Sequence, residues 1–115
     1  MAKLTLTPQQ QAVVENRGGS LLVSAAAGSG KTRVLVERLL ARVEGEGLDI
    51  DRFLVITYTK AAAAELRGRI VEELSARLAE RPTDAHLRRQ ATLVKMRACM
   101  KPLKPWAKSF VRRWA

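Results

Sequence analysis

The sequence predicts an α/β fold, the opening of a doubly wound parallel sheet, and three observations carry that prediction. Two short apolar runs, Leu21-Leu22-Val23 and Phe53-Leu54-Val55-Ile56-Thr57, are each followed by a stretch with helical spacing. A small-residue loop, Ser24 to Thr32, joins the first run to its helix. Strand, helix, strand, helix in that order implies crossover connections and a parallel sheet. A sheet normally has ~4 to 6 strands, so two make only its beginning.

The elements follow in order. Thr7 and Pro8 predict a short helix through Asn16, with Thr7 as N-cap and Pro8 in the first helical position. Arg17-Gly18-Gly19 stops it, and Ser20 to Ser24 reads as a short strand. A helix is expected from about Lys31 to Val43, because Val36, Leu39, Leu40 and Val43 fall at i, i+3, i+4 and i+7. Gly45-Glu46-Gly47 is its exit loop. Phe53 to Thr57, apolar throughout, predicts a strand buried on both faces.

The next helix carries Leu66, Ile70, Leu74 and Leu78 on one side, with Glu65/Arg69 and Glu73/Arg77 as i, i+4 pairs on the exposed side. Arg81-Pro82 ends it. A last helix is expected from Thr83 to Met100, capped by Thr83 or Asp84, with Leu87, Ala91, Val94 and Ala98 on one face. Pro102 and Pro105 break it, and beyond them Trp106, Phe110 and Trp114 recur at i, i+4 and i+8 beside Lys104, Lys108 and Arg112.

Composition narrows the class. The 115 residues are 47% hydrophobic and 28% charged, an ordinary balance for one globular domain. No apolar run nears the ~20 residues that span a bilayer, and the polar start lacks a secretory apolar region, so no membrane partner is expected and the cytoplasm is the default. Cys99 and His86 offer neither a disulfide nor a metal set. The net charge of +10 divides unevenly, with +1 on residues 1–85 and +9 on the acid-free residues 86–115.

The loop carries the chemistry. Ser24-Ala25-Ala26-Ala27-Gly28-Ser29-Gly30-Lys31-Thr32 matches a phosphate-binding loop except that Ala25 stands where the pattern has Gly. Small residues let backbone N–H groups face phosphate oxygens, Lys31 reaches the β- and γ-phosphates of a nucleotide, and the Thr32 hydroxyl ligates Mg²⁺. The helix beginning at Lys31 adds its positive dipole end.

Leu6-Thr7-Pro8-Gln9-Gln10, the loop from Ala25 to Thr32, and Thr57-Tyr58-Thr59-Lys60 with the alanines and Glu65-Leu66 behind it come in one order. With Arg67-Gly68-Arg69-Ile70, they resemble a UvrD/Rep-like superfamily 1 DNA helicase. Asn16 to Ser20 and the alanine-rich loop look most like the A subunits of AddAB-type helicase-nucleases. Such helicases commonly carry Ala at the Ala25 position.

The resemblance implies a P-loop NTPase (RecA-like) parallel sheet with only its first two β-α units present, followed by a helical basic tail. It implies ATP and Mg²⁺ as cofactors, with Ala25, Ala26, Ala27, Gly28, Ser29, Gly30, Lys31 and Thr32 around the phosphates, and Lys31 and Thr32 as the catalytic pair. Gln10 matches the glutamine that reads adenine, for which a carboxamide has one donor and one acceptor. Thr57, Tyr58 and Thr59 match a motif that runs along single-stranded DNA, the ring of Tyr58 offering a base a stacking surface. The intact parent would also engage double-stranded DNA and a B-type helicase-nuclease subunit. The role of Lys60 stays open.

The likeness covers roughly residues 4–90, which gives residues 1–90 as the N-terminal part of a UvrD-like ATP-binding domain and 91–115 as a basic tail unlike helicase sequence. No apolar run ends in the acidic pair that ATP hydrolysis needs, and Asp49 and Asp51 precede the second strand, at the wrong end of a parallel sheet. The expectation is a truncated helicase segment, inactive alone, acting in double-strand-break repair and recombination. A small P-loop kinase shares the loop but leaves Gln10 and Thr57-Tyr58-Thr59 without a role. A non-enzymatic protein binding nucleic acid through its tail is the third reading.

Overall fold

Thr7 opens the first helix, α1 (Pro8–Glu15), by accepting a hydrogen bond at its hydroxyl from the Gln10 N–H at 3.2 Å, while Gln10 Oε1 accepts from the Thr7 N–H at 2.9 Å. This reciprocal capping box satisfies two N–H groups that a bare helix start leaves unpaired. Pro8 lacks the third, so the start fits its sequence throughout. A computed structural model describes residues 5–26, 28 and 30–97 of the chain, the side chains of 96 and 97 excepted. Ala98, Cys99 and the basic-aromatic residues from Lys101 onward lie outside the described residues.

The second helix, α2, runs Lys31–Glu46, three residues past the expected end at Val43. Its stop is Gly47 at φ 64°, a left-handed conformation that costs glycine little and L side chains more. Gly45 and Glu46, expected as loop, therefore complete the last turn. Helix α3 spans Lys60–Glu80 with Thr59 as N-cap, its hydroxyl accepting from the Ala62 N–H at 3.0 Å. Helix α4 spans Ala85–Arg97, with Asp84 Oδ1 accepting from the Leu87 N–H at 3.0 Å. That assigns the cap to Asp84 rather than Thr83.

The three longer helices share one core. Val36 and Leu40 of α2, Leu66 and Leu74 of α3, and Leu87 and Ala91 of α4 are buried together, with Ile70, Leu78 and Val94 packed at the margin. Each large aliphatic side chain removed from water contributes ~1.5–3 kcal/mol. The periodic positions named in the sequence, Ala98 aside, are therefore the core or its margin, Leu39 and Val43 included.

The α/β expectation is corrected here. Among the described residues there is no strand and no sheet; all regular structure is helical. Ser20 to Ser24 and Phe53 to Thr57, expected as parallel strands of a P-loop NTPase sheet, have no regular secondary structure. A strand exists only in a ladder, where a neighbour's N–H and C=O groups pair with its own. An apolar run encodes a preference for burial and cannot supply that neighbour. The side chains show it: Leu22 is 93% exposed and Ile56 62% exposed.

Two polar features knit the helices. Arg77, expected on the exposed side of α3, lies instead between helices, 2.7 Å from Glu37 and 2.5 Å from Glu44 of α2, with Glu73 farther off at 3.9 Å. Arg81 pairs with Glu44 as well. Burial alone lowers the Arg77 guanidinium value, but the charges of Glu44 and Glu37 outweigh it and hold it above the ordinary one. The Glu65/Arg69 pair does form on the surface, at 2.9 Å.

Gln90 of α4, 0% exposed, is the second feature. Its Oε1 accepts from the Ile50 N–H at 2.7 Å and its Nε2 donates to Asp49 Oδ1 at 2.8 Å. A buried carboxamide is stable only with such partners. It fastens the short 3-10 turn Ile50–Arg52 that leads into Phe53. Asp49 thus has a structural use, and His86 has one too, its Nε2 lying 3.0 Å from the Val43 carbonyl oxygen.

Candidate functional site

A helix that starts with lysine and threonine leaves its first N–H groups for something other than a side chain of its own. The N-cap of α2 is Gly30 at φ 82°, with no side-chain cap and no acidic residue in the first turn. Gly28 is also left-handed, at φ 78°. Two glycines in that region turn the chain sharply into the helix, and an alanine at either would be strained. Ala27 and Ser29, expected in the same loop, lie outside the described residues.

Beside this turn a cavity of about 660 Å³ opens between α1 and α2. Its α2 wall is Lys31, Val34, Leu35 and Arg38, one helical face at i, i+3, i+4 and i+7. Gln10 and Val13 form the facing wall, and Leu21 to Ala25 border it, Leu22 excepted. Lys31, Gln10 and Ala25 are therefore brought to one cavity, apolar between its polar ends. A Cβ built on Gly30 would lie 3.4 Å from Gln10 Nε2, so the glutamine rests against the loop itself.

The capping box adds something that motif matching overlooks. Gln10 is the third helical residue of α1, and its Oε1 is held by the Thr7 N–H. The carboxamide is thereby oriented at the cavity wall. The Thr-x-x-Gln spacing is the available signal.

Sequence reasoning also misses Arg38. Its Nη1 donates to the Val13 carbonyl at 2.5 Å and the Asn16 carbonyl at 2.7 Å. Arg17 donates to the Val14 carbonyl at 2.6 Å and to Glu46 at 2.5 Å. Burial, then the Arg42 and Arg17 charges, push the Arg38 guanidinium below its ordinary value against the pull of Glu46. For Glu46, burial raises the carboxyl value, but hydrogen bonds from Arg17 and Arg42 and their charges hold it below the usual carboxylate value.

The residues fit a nucleoside triphosphate. The loop combines left-handed glycines with an α2 start free of acidic side chains, Lys31 supplies a cation at the cavity, and Thr32 is an exposed hydroxyl of the kind Mg²⁺ accepts. No carboxylate is among the described residues that line the cavity. The expected DNA motif lies elsewhere: Thr57 lines a second cavity of about 300 Å³ with Phe53, Val55, Arg67 and Ile70. Tyr58 is fully exposed. Thr57 Oγ1 donates to the Thr59 carbonyl at 3.3 Å, and the Thr59 hydroxyl caps α3.

The family model described as the UvrD/REP helicase N-terminal domain matches residues 6–104, most of the chain. The chain belongs to that family. As a UvrD/REP helicase N-terminal domain it is similar to proteins named as the A subunit of an ATP-dependent helicase/nuclease. The one from Lachnoclostridium phytofermentans is 50% identical over 96 residues, 82% of this chain and 7% of that protein. The one from Geobacillus kaustophilus is 46% identical over 110 residues, 94% of this chain and 9% of that protein. The one from Alkaliphilus metalliredigens is 47% identical over 109 residues, 93% of this chain and 9% of that protein. The chain thus spans less than a tenth of the length of these curated relatives. No helix among the described residues is long and apolar enough to cross a membrane.

Proposed function

We propose that this helicase-family chain is an ATP-binding and single-stranded-DNA-contacting N-terminal segment of a larger ATP-dependent DNA helicase/nuclease polypeptide that serves double-strand-break repair and recombination. The observation that carries the proposal is the shared cavity: Gln10 and Lys31, from two helices, line one space beside the left-handed Gly28-Gly30 turn. In this reading Gln10 reads adenine and the phosphates lie on the loop from Ala25 to Gly30. Lys31 neutralises β- and γ-oxygens, and Thr32 holds Mg²⁺.

Residues up to about 90 carry the nucleotide and DNA contacts, and the helix that closes the core, α4, runs past them, the family match continuing to residue 104. Thr57, Tyr58 and Thr59 meet single-stranded DNA, with Tyr58 as a stacking surface worth ~1–3 kcal/mol per base. Its full exposure on a loop anchored by the α3 cap supports that role. Hydrolysis requires acidic and arginine groups around the γ-phosphate. In this reading the segment holds the nucleotide, and the larger polypeptide supplies those groups. The partners of the larger cytoplasmic protein are double-stranded DNA and a B-type helicase-nuclease subunit.

The test is a titration of the full chain with a non-hydrolysable ATP analogue and Mg²⁺, beside Lys31→Ala. A loss of at least tenfold in affinity in the variant is expected, about 1.4 kcal/mol. Equal affinities contradict a phosphate loop in use.

A further inference from the structure

Helix α1 is eight residues long and buries only Val14. Isolated helices shorter than ~12–15 residues are marginal in water, so α1 depends on what holds its ends. The N-terminal end is held by its own capping box. The C-terminal end has no basic residue in its last turn, and its carbonyls carry the negative end of the helix dipole. Across the gap, Arg38 of α2 supplies a guanidinium that takes both the Val13 carbonyl and that of the C-cap, Asn16. Both bonds leave one nitrogen, Nη1, and Arg17, which donates to the Val14 and Asn16 carbonyls and to Glu46, is the second guanidinium at this helix end.

Arg38 stands two helical turns from Lys31 on the same face of α2, a rise of roughly 10 Å, and both line the cavity that Gln10 enters from α1. From this we infer that Arg38 is a positioning residue of the nucleotide site: by clamping α1 to α2 it holds Gln10 in register with Lys31, and so sets base selectivity. The inference rests on the nucleotide reading above and deepens it. The phosphate end is built from the loop and the first turn of α2, whereas the side-chain hydrogen bonds of Arg38 go to α1 and its C-cap, on which the base end hangs. Removing the clamp therefore separates the two halves of recognition.

The experiment measures the affinity of the full chain for an ATP analogue, a GTP analogue and inorganic tripolyphosphate, each with Mg²⁺, with helical circular dichroism recorded for every variant. In Arg38→Met the preference for the adenine over the guanine nucleotide falls about tenfold, the order expected for one well-placed bidentate base contact. Tripolyphosphate affinity stays within twofold. Gln10→Ala loses the same preference, and the double variant loses no more than either single one, because Arg38 acts through Gln10. If Arg38→Met loses its helical signal, Arg38→Gln, shorter and neutral, is read in the same assay with the same expectation. An Arg38 variant that is helical and keeps its adenine preference overturns the proposal, as does an additive double variant. Lys31→Ala separates this from failure of the underlying reading: tripolyphosphate binding unchanged by Lys31→Ala refutes the phosphate loop. A wild-type chain that binds tripolyphosphate with no adenine preference overturns the clamp's purpose along with the role of Gln10.

Discussion

The packed helices α2, α3 and α4 and the extended segments 20–26 and 53–57 are both rich in Leu, Val and Ile, yet Leu40, Leu74 and Leu87 are wholly buried while Leu22 and Ile56 face water. The difference lies in the backbone. A helix pairs its own N–H and C=O groups within a few residues, so it needs a neighbour only for one apolar stripe. An extended segment needs a neighbour for its backbone as well, and here it has none among the described residues. The helical part is thus a self-sufficient scaffold. The segments carrying the expected loop and DNA contacts are attached to it at caps and clamps: Gly30, Thr59, Arg38 and Gln90.

The sharpest way to break this comparison is a pair of substitutions, one in each region. Leu74→Ala in the core is expected to cost about 2–5 kcal/mol in urea unfolding, the range for a buried leucine that leaves a cavity. A cost under about 1 kcal/mol would mean the scaffold is not the stable unit. Next in size is Arg77→Met, which takes the guanidinium from between Glu37 and Glu44 and leaves Glu44 to Arg81; about 1–3 kcal/mol is expected, since Arg77 is only partly screened by water. Gln90→Leu, read by amide exchange, should speed exchange of the Ile50 N–H far more than that of α3 core amides. Uniform acceleration would make Gln90 a general core residue rather than a fastener.

Smaller still is the effect of acid on the α1 attachment. The folded Glu46 carboxyl lies below its ordinary value, so its contribution is present above the unfolded value and is lost as pH falls through the lower folded one. A difference in thermal midpoint between wild type and Glu46→Gln is expected at neutral pH and should vanish on acidification below the ordinary carboxylate range. A difference that persists there would assign the effect to packing. The smallest change belongs to the exposed segments: Ile56→Lys is expected to move stability by no more than about 0.5 kcal/mol. A cost near that of Leu74→Ala would show that Phe53 to Thr57 is packed after all.

Legibility in the sequence follows the same division. The starts of α1, α2 and α4 and the end of α3 at Arg81 are readable because caps and breakers act locally: Thr7 with Pro8, Gly30 before Lys31, Asp84, and Arg81-Pro82. The core face is readable because helical spacing is local too, and Leu66, Leu74 and Leu87 sit where that spacing puts them. The sheet is not, because the apolar run Phe53 to Thr57 satisfies the pattern of a buried strand without naming the strand it would pair with. Arg77 is misplaced by sequence reasoning because its i, i+4 partner, Glu73, is visible there while Glu37 and Glu44, far back along the chain on α2, are not.

Within the site, Gln10 and Lys31 are readable as motif residues, and their shared cavity is not, since it depends on how α1 docks on α2. Arg38 leaves no sequence signal of its own, because its partners are backbone carbonyls, which any sequence has.

The central claim is that the cavity between α1 and α2 is where a nucleotide binds. Hydrogen exchange of the full chain with and without a non-hydrolysable ATP analogue and Mg²⁺ tests it most directly. The account predicts slowed exchange at the amides from Gly28 through the first turn of α2 and in α1, with α3 and α4 unchanged. Protection confined to α3 and α4, or none at saturating analogue, would contradict it.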